Sequence, residues 1–271
     1  MSNLSGLKRN TIDKFYTKTD VVKQIGIFIK NNLDINKEDL IIEPSAGNGS
    51  FINVIKNLSN NYIFLDIHPE NHEIIKQDYL TFDFNSNNHN KNIHIIGNPP
   101  FGRQSSLAIK FIKKSCEFCS SLSFILPKSF KKDSKKKHIP LNYHLIYEYD
   151  LPENSFILNK QDYDVPCVFQ IWKKMEYNRE ELKKLKPTNF KFVKKNENPD
   201  IAFRRVGVYA GKIHTDIENK SQESHYFIKF NDFNQNIIEK ISKINFSSSS
   251  NTVGAKSISK QELIKEFNMI I

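Results

Sequence analysis

Cysteine is scarce in this chain, with three residues in 271. Three thiols cannot form a fully paired disulfide framework, so the composition predicts an intracellular protein with reduced cysteines. No apolar run approaches the ~20 residues that a membrane-spanning helix needs. Residues 1–6 lack the apolar core of a signal peptide. The sequence therefore predicts a soluble protein with no membrane partner.

Grouped metal ligands are also lacking. The eight histidines are scattered along the chain, and Cys116 and Cys119 form a CxxC without a second pair, so no metal site is expected. Pro166 and Cys167 lie within an apolar strand pattern. That setting favours a buried structural cysteine over a catalytic nucleophile.

Positive charge is in excess, with 40 Lys and Arg against 30 Asp and Glu and a formal net charge of +10. An excess of this size favours a polyanion such as nucleic acid as the partner. The alternative is that codon bias enriched lysine and asparagine, and that the lysines only solvate the surface.

The segment Asn98-Pro99-Pro100-Phe101 is the centre of the sequence pattern. It follows an apolar stretch, 93–97, that reads as a buried strand, and two prolines must end that strand. In open α/β sheets, ligands bind at this carboxyl edge. The Asn98 carboxamide oxygen and the Pro99 carbonyl could accept the hydrogens of an amino group on a planar base, and Phe101 could stack on that base. The alternative is a strand-ending turn with an aromatic plug.

Two further strand ends carry polar residues. Leu40–Ile42 leads into Glu43-Pro44-Ser45-Ala46-Gly47-Asn48-Gly49, whose glycines permit close approach of a ligand. No Gly-Lys-Ser/Thr follows, so this is not a phosphate-binding P-loop, and Glu43 suits a cationic amino-acid group. The next strand ends at Asp66, roughly 20 residues on, where doubly wound folds present an acid to a ribose.

Strand and helix patterns alternate up to Trp172, which predicts a mostly parallel α/β sheet with helices on both faces. Thr19 is expected to cap the first helix. We predict disorder for residues 1–10, one domain over 11–175, and a small α+β extension over 176–271. In the extension, 175–186 is predicted to be helical and 190–200 a loop. A capping box of Ser259 and Glu262 predicts the closing helix.

The order of these motifs resembles class I S-adenosylmethionine-dependent methyltransferases. More narrowly, it is similar to the enzymes that methylate amino groups of nucleobases, mainly adenine N6. The resemblance covers residues 14–172 and implies a Rossmann-like fold, S-adenosylmethionine as cofactor and S-adenosylhomocysteine as product. Phe101 stands where many DNA enzymes of this family have Tyr. DNA is favoured as substrate, but adenine in RNA or cytosine N4 stays open, as does a catalytically inactive nucleic-acid binder.

The resemblance also implies roles for individual residues. Asn98, Pro99, Pro100 and Phe101 would carry the chemistry. The donor's methionine part would contact Phe15, Tyr16 and Thr17. Its amino-acid and sugar portions would be lined by Glu43, Ser45, Gly47 and Asn48, with Asp66 on the ribose hydroxyls. The adenine would lie against Ile67, Asp78 and Tyr79.

Two basic groups are predicted to bind nucleic acid beside the cleft that Asn98 opens. The first follows a strand that Pro127 ends: Lys128, Lys131, Lys132, Lys135, Lys136 and Lys137. The second lies in the extension: Arg204, Arg205 and Lys212. Lysines are expected on phosphates and the arginines nearer the target nucleotide. The alternative is a solvated lysine loop and an arginine pair that bridges to acidic groups.

Overall fold

The computed structural model describes residues 15–84 and 92–271. The chain divides into two compact units, residues 1–181 and 182–271. The predicted disorder of residues 1–10 lies outside the described part of the chain. Within that part, no helix combines the length and the apolar character that a bilayer crossing requires.

The first unit contains the elements of the predicted α/β domain. In chain order they are β1 (Tyr16–Thr17), α1 (Thr19–Asn32), β2 (Leu40–Glu43), α2 (Ile52–Leu58), β3 (Asn61–Asp66), β4 (Ile75–Lys76), β5 (Ile93–Gly97), α3 (Ser106–Ser115), β6 (Ser121–Pro127), α4 (Asp133–Lys136), β7 (Tyr143–Asp150), β8 (Phe156–Leu158), β9 (Gln161–Tyr163) and β10 (Cys167–Lys174).

A seven-stranded sheet with the order β4-β3-β2-β5-β6-β10-β7 organises this unit. The pairs from β4 to β6 are parallel, and β10 is antiparallel to both of its neighbours. The strand order reverses between β2 and β5, which lie side by side. A reversal of this kind is where doubly wound sheets open a ligand crevice at the carboxyl ends of the strands. The predicted Rossmann-like fold is confirmed.

Both faces of the sheet are covered by helices because strand residues alternate between the faces. On one face, Phe124 of β6 packs in the same core cluster as Phe111 and Ile112 of α3. On the other face, the ring of Phe28 on α1 lies 6.5 Å from that of Phe169 on β10. Fully buried apolar strands such as β6 therefore read as near-continuous hydrophobic runs in the sequence.

The second unit is a small α+β fold, as predicted. Its elements are β11 (Phe190–Val193), β12 (Ile201–Arg204), β13 (Ile213–His214), β14 (His225–Phe230), α5 (Gln235–Ser242) and α6 (Lys260–Ile270). The strands form an antiparallel sheet in the order β11-β14-β12-β13. Leu263, Ile264 and Phe267 of α6 pack in the core with strand residues.

Several local predictions meet different outcomes. The capping box of Ser259 and Glu262 is present at the start of α6. The predicted helix over 175–186 is wrong: its leucines, Leu182 and Leu185, stay exposed, so the segment has no apolar stripe to bury. The predicted loop over 190–200 begins with β11, in which alternate phenylalanines pack on the core.

Two more predictions need correction. Thr19 is the first residue of α1 rather than its cap: Lys18 occupies the cap position, without a side-chain hydrogen bond. The amide of Lys18 donates to the carbonyl of Ser155 at 3.0 Å, so tertiary structure sets this helix start. The lysine segment after β6 is not an open loop, because a 3₁₀ turn over Lys128–Lys131 and the short helix α4 shape it.

Candidate active site

A cavity of about 260 Å³ lies at the carboxyl edge of the sheet, beside β2, β3 and β5. Every residue predicted to hold the cofactor lines it, together with Asn98 and Pro100. Pro99 is buried and Phe101 is 8 % exposed, and neither lines the cavity. The motif therefore turns one amide and one proline ring toward the space, while the Phe101 ring predicted to stack on a base is buried.

The Asn98 side chain has a fixed orientation. Its Nδ2 donates to the carbonyl of Phe15 and to Oγ1 of Thr17, both at 3.3 Å. Its main-chain carbonyl accepts a hydrogen bond from Oγ of Ser45 at 3.1 Å. Its Oδ1 is buried and has no hydrogen-bond partner. A buried unpaired acceptor costs about 1–3 kcal/mol, and a ligand amino group would remove that cost by donating a hydrogen.

A hairpin that follows β7 in the chain holds the segment that orients Asn98. β1 pairs antiparallel with β8, with Tyr16 opposite Ile157 and Thr17 opposite Phe156. Phe15 stacks on Tyr163 of β9 with ring centres 5.0 Å apart and planes 8° apart. Asn159 and Lys160 both have positive φ, at 50° and 63°, as the two-residue turn of a hairpin requires.

Sequence reasoning placed Phe15–Thr17 at the site but missed the support from β8 and β9. A strand pattern over 155–158 is part of the alternation that the sequence shows up to Trp172. Its partner, β1, lies near the other end of the unit and has only two residues, which is too short for a periodic signal.

Glu43 is a buried carboxyl group beside the cavity. It is 1 % exposed, and its Oε2 has no hydrogen-bond partner. Burial, and then the charge of Asp66, raise the pKa of Glu43 well above its ordinary value. A cationic group in the cavity would offset this desolvation and favour the ionised carboxylate.

Asp66 fixes the glycine loop to the end of β3. Its Oδ2 accepts a hydrogen bond from the amide of Gly47 at 2.8 Å, and its Oδ1 accepts one from the amide of His68 at 2.7 Å. Gly47 has φ +55°, and a Cβ there would lie 3.2 Å from Cε1 of Tyr16. Glycine is therefore required for both the turn and the close packing.

The remaining residues that were predicted to bind the cofactor differ in how much of each side chain is exposed. Ile67 is 48 % exposed at the cavity, whereas Tyr79 is 1 % exposed and shares a 2.8 Å hydrogen bond with Ser115. Burial raises the pKa of Tyr79. Its hydroxyl is thus committed to the core. Oδ1 of Asp78 accepts from the amide of Leu80 at 2.9 Å, so that carboxylate also shapes the cavity wall.

Some cavity residues were not predicted. Glu70 accepts a hydrogen bond from the Tyr16 hydroxyl, and burial followed by this bond raises the pKa of Tyr16. His68, Phe51 and Leu107 also line the space. Glu70 and His68 follow Asp66 within the same turn, so their closeness in sequence was the available signal.

The lysines after β6 contact acidic residues of β7. Lys131 Nζ lies 2.8 Å from Oδ1 of Asp150, and Lys128 Nζ lies 3.4 Å from its Oδ2. Lys136 Nζ lies 3.5 Å from Oε2 of Glu148. Burial alone would raise the pKa of Asp150, but the Lys131 hydrogen bond and the charges of both lysines lower it. These three predicted phosphate contacts are therefore partly neutralised within the protein.

The other predicted basic residues vary. Lys135 Nζ donates to the carbonyl of Gln104 at 2.6 Å, while Lys137 and Lys212 are exposed. In the second unit, Arg204 Nε donates to the carbonyl of Val206 at 2.8 Å, and Arg205 donates to the carbonyl of Glu223. The arginine pair thus donates to main-chain carbonyls in these contacts, and not to the acidic groups that the alternative reading expected. Nucleic-acid contact by these residues stays a prediction, as does their place beside the cleft.

Comparison with known proteins adds a family match. A family model described as "EDM2 methyltransferase-like domain" matches residues 35–183, more than half of the chain. No curated protein matches the chain. In the described residues, no cluster of three or more His, Cys, Asp or Glu side chains could hold a metal.

Three solved structures illustrate the structural likeness. A candidate RNA methyltransferase from Pyrococcus horikoshii is 15% identical, with 64% of this chain and 94% of that chain covered and a TM-score of 0.48. A modification subunit of a candidate type I restriction enzyme from Vibrio vulnificus is 13% identical, with 59% and 44% covered and a TM-score of 0.44. This chain thus spans less than half of that subunit.

The third is a candidate methyltransferase from Streptococcus mutans in complex with SAH, which is 17% identical, with 57% and 97% covered and a TM-score of 0.37. None of the three reaches a TM-score of 0.5, so the fold assignment comes from the strand order itself.

Proposed function

The chain belongs to the EDM2 methyltransferase-like domain family, and on that premise we propose that it methylates the N6 amino group of adenine in DNA. S-adenosylmethionine is the proposed donor, and S-adenosylhomocysteine the product. One observation carries the proposal: the buried, unpaired Oδ1 of Asn98 at the carboxyl end of β5.

The chemistry of an exocyclic amine explains why such an oxygen is useful. The amine is a poor nucleophile because its lone pair is conjugated into the ring. Oδ1 of Asn98 accepts one of its hydrogens, which favours the pyramidal, nucleophilic form as bond-making begins. The second acceptor that the sequence predicts, the carbonyl of Pro99, belongs to a residue that is buried and does not line the cavity. The amine nitrogen would form its bond to the donor's methyl carbon in line as the carbon–sulfur bond breaks and S-adenosylhomocysteine is released. The extra proton on nitrogen would pass to solvent afterwards, so no general base is needed.

Residues of the cavity fit the proposed donor. Glu43 has a buried carboxylate oxygen without a partner, which suits the donor's ammonium group. Asp66 stands at the end of β3 for the ribose hydroxyls, and Gly47 leaves room for close approach to the backbone. Ile67 provides an exposed apolar side chain for the adenine. When bound, the donor supplies an electrophilic methyl group on its sulfonium.

Positioning is the other contribution of the protein. Two donor bonds from Asn98 Nδ2 to the 15–17 segment hold the amide in one rotamer. A fixed acceptor lowers the barrier because its orientation is set before the reaction begins. The target base must leave a duplex to reach this depth, at a cost of a few kcal/mol that single strands avoid.

Asn98→Ala should reduce methyl transfer by about 100-fold or more, the size expected when one transition-state hydrogen bond is removed. Transfer from labelled donor to pooled DNA and RNA is the measurement, followed by digestion to nucleosides. N6-methyladenine in DNA is the expected product. Asn219→Ala, at an exposed position in the second unit, is the matched control and should stay fully active.

Calorimetry with the donor separates the possible failures. Asn98→Ala should still bind donor, because the proposed donor contacts lie elsewhere in the cavity. Undiminished methyl transfer in Asn98→Ala would show that this motif does not carry the chemistry. N4-methylcytosine, or product only in RNA, would replace the proposed substrate. No binding heat at millimolar donor would favour an inactive nucleic-acid binder.

A further inference from the structure

The loop that joins β12 to β13, residues 205–212, has a closely determined backbone. The amide of Arg204 donates to the carbonyl of Lys212, and the amide of Gly211 donates back to the carbonyl of Arg204, both at 2.8 Å. Within the loop, Ala210 donates to Gly207 at 3.0 Å. Gly207 and Gly211 have φ of 97° and 100°, values that favour glycine. These hydrogen bonds and glycines therefore hold the loop in one conformation.

The side chain of Arg204 stabilises the loop by hydrogen bonds. Its Nε donates to the carbonyl of Val206 at 2.8 Å, and one of its terminal nitrogens donates to Oγ of Ser224 at 3.3 Å. The amide of Gly207 is also held, by the carbonyl of Lys256 at 2.9 Å. Contacts from two other segments of the second unit thus fix the direction in which the loop projects.

The tip of this fixed loop shows two apolar side chains to solvent. Val208 is 75% exposed and Tyr209 is 69% exposed. A single exposed apolar residue is ordinary. Two adjacent ones are less so, because a rigid loop could have buried both side chains. The Nζ of Lys212 lies 5.9 Å from the centre of the Tyr209 ring. The loop therefore presents a largely exposed aromatic ring with a cation over one of its two faces.

The surrounding charge favours a polyanion. The second unit, residues 182–271, holds sixteen Lys and Arg against nine Asp and Glu, so it carries most of the formal net charge of +10. Two more cations of the second unit lie over one aromatic ring: Arg205 and Lys260 lie 5.6 and 5.8 Å from the ring centre of Tyr226. Positive charge combined with aromatic side chains is typical of surfaces that bind single-stranded nucleic acid.

We propose that Tyr209 is a stacking platform for an unpaired base of the DNA substrate, with Lys212 on a neighbouring phosphate. The inference rests on the proposed function, since it takes DNA as the substrate. Every base has a π-face, so stacking on Tyr209 holds the strand without reading its sequence. The platform would retain a strand on the second unit whichever base is methylated.

The test uses the full-length protein and a single-stranded DNA oligonucleotide that contains 2-aminopurine, whose fluorescence is quenched by stacking. Tyr209→Ala should weaken binding by about 5- to 150-fold, the range for loss of one base–aromatic stack, and should lose the quenching. Tyr209→Phe keeps the ring and should keep both. Tyr177→Ala is the matched control, because Tyr177 is 65% exposed in the first unit; it should bind as the wild type does. Blunt duplex DNA of equal length should show little loss, since its bases are already stacked.

Three outcomes would overturn the platform. Wild-type affinity and quenching in Tyr209→Ala would show that the ring is not a contact. A loss in Tyr209→Phe equal to that in Tyr209→Ala would assign the effect to the hydroxyl. An equal loss on blunt duplex would assign it to the backbone. The assay contains no donor and reads no methyl transfer, so its result is separate from that of the proposed reaction.

Discussion

Two residues, Glu43 and Asn98, carry the chemical character of the cleft. Each is part of the wall of the same cavity, and each has a buried oxygen without a hydrogen-bond partner. Buried polar atoms are nearly always paired in folded proteins. Two unpaired acceptors in one cavity, at the ends of adjacent strands, are therefore best explained by two ligand groups that donate hydrogens, the ammonium group of the proposed donor at Glu43 and the amine of the target base at Asn98.

Glu43→Gln should weaken donor binding about 10- to 100-fold, the range for a lost hydrogen bond to a charged group. Calorimetry at several pH values is the measurement. In the wild type, affinity should fall as the pH drops through the raised pKa of Glu43, because the protonated carboxyl no longer attracts an ammonium group. The variant should lack that dependence. Glu239→Gln, at an exposed site, is the control, and identical pH profiles for wild type and Glu43→Gln would contradict the role.

The same substitution, Glu43→Gln, should stabilise the folded protein although it weakens donor binding. The folded protein holds the pKa of Glu43 above that of the unfolded chain, so ionisation at high pH costs folding free energy. Without donor, Glu43→Gln should therefore melt at a higher temperature than wild type at neutral pH. The difference should shrink as the pH falls below the raised pKa and vanish below the unfolded value of about 4.3.

At the scale of elements, the sequence predicted the strand ends, which depend on local residues. It did not predict the pairing of strands that lie far apart in the chain. Apolar runs ending in prolines or glycines marked β2 and β5, because those residues cannot continue a strand whatever lies around them. The pairing of β1 with β8 depends on residues far apart in the chain. Its importance appears only in three dimensions, where the hairpin positions Phe15 and Thr17 against Asn98.

Tyr163→Ala should reduce donor affinity about 3- to 10-fold, since an aromatic pair contributes about 0.5–1.5 kcal/mol beyond its buried area. The fold should persist because Tyr163 is only half-buried. Calorimetry and thermal unfolding are the two measurements. Tyr163→Phe keeps the stack on Phe15 and should bind donor normally. Donor affinity unchanged in Tyr163→Ala would mean that β1 holds its place without the stack.

At the scale of the whole molecule, part of the predicted basic surface is paired with acidic side chains. The lysine segment after β6 was predicted to bind nucleic acid, together with the basic group of the extension. Lys128, Lys131 and Lys136 instead lie within 4 Å of Asp150 or Glu148. The sequence could not reveal this, because the acidic residues belong to β7, which β10 separates from β6 in the sheet. Most of the excess charge lies in the second unit.

Lys212→Ala should flatten the salt dependence of single-stranded DNA binding, with a slope smaller by about 0.7 for the loss of one phosphate contact. Lys131→Ala should leave the slope nearly unchanged, because Lys131 already pairs with Asp150. Affinity measured across a salt series gives both slopes. A larger change in slope for Lys131→Ala than for Lys212→Ala would mean that the stronger phosphate contact lies in the first unit.

The pairing of β1 with β8 also has a consequence for synthesis on the ribosome. The chain emerges from its amino end, so residues 15–17 leave the tunnel long before their partners at 156–163. Until the hairpin has emerged, Asn98 lacks the positioned acceptors that fix its amide, although β2, β3 and β5 can already pair. Domains tend to fold as units during translation. We expect the nascent chain to acquire its sheet first and its ability to retain donor only after residue 163 is free of the ribosome.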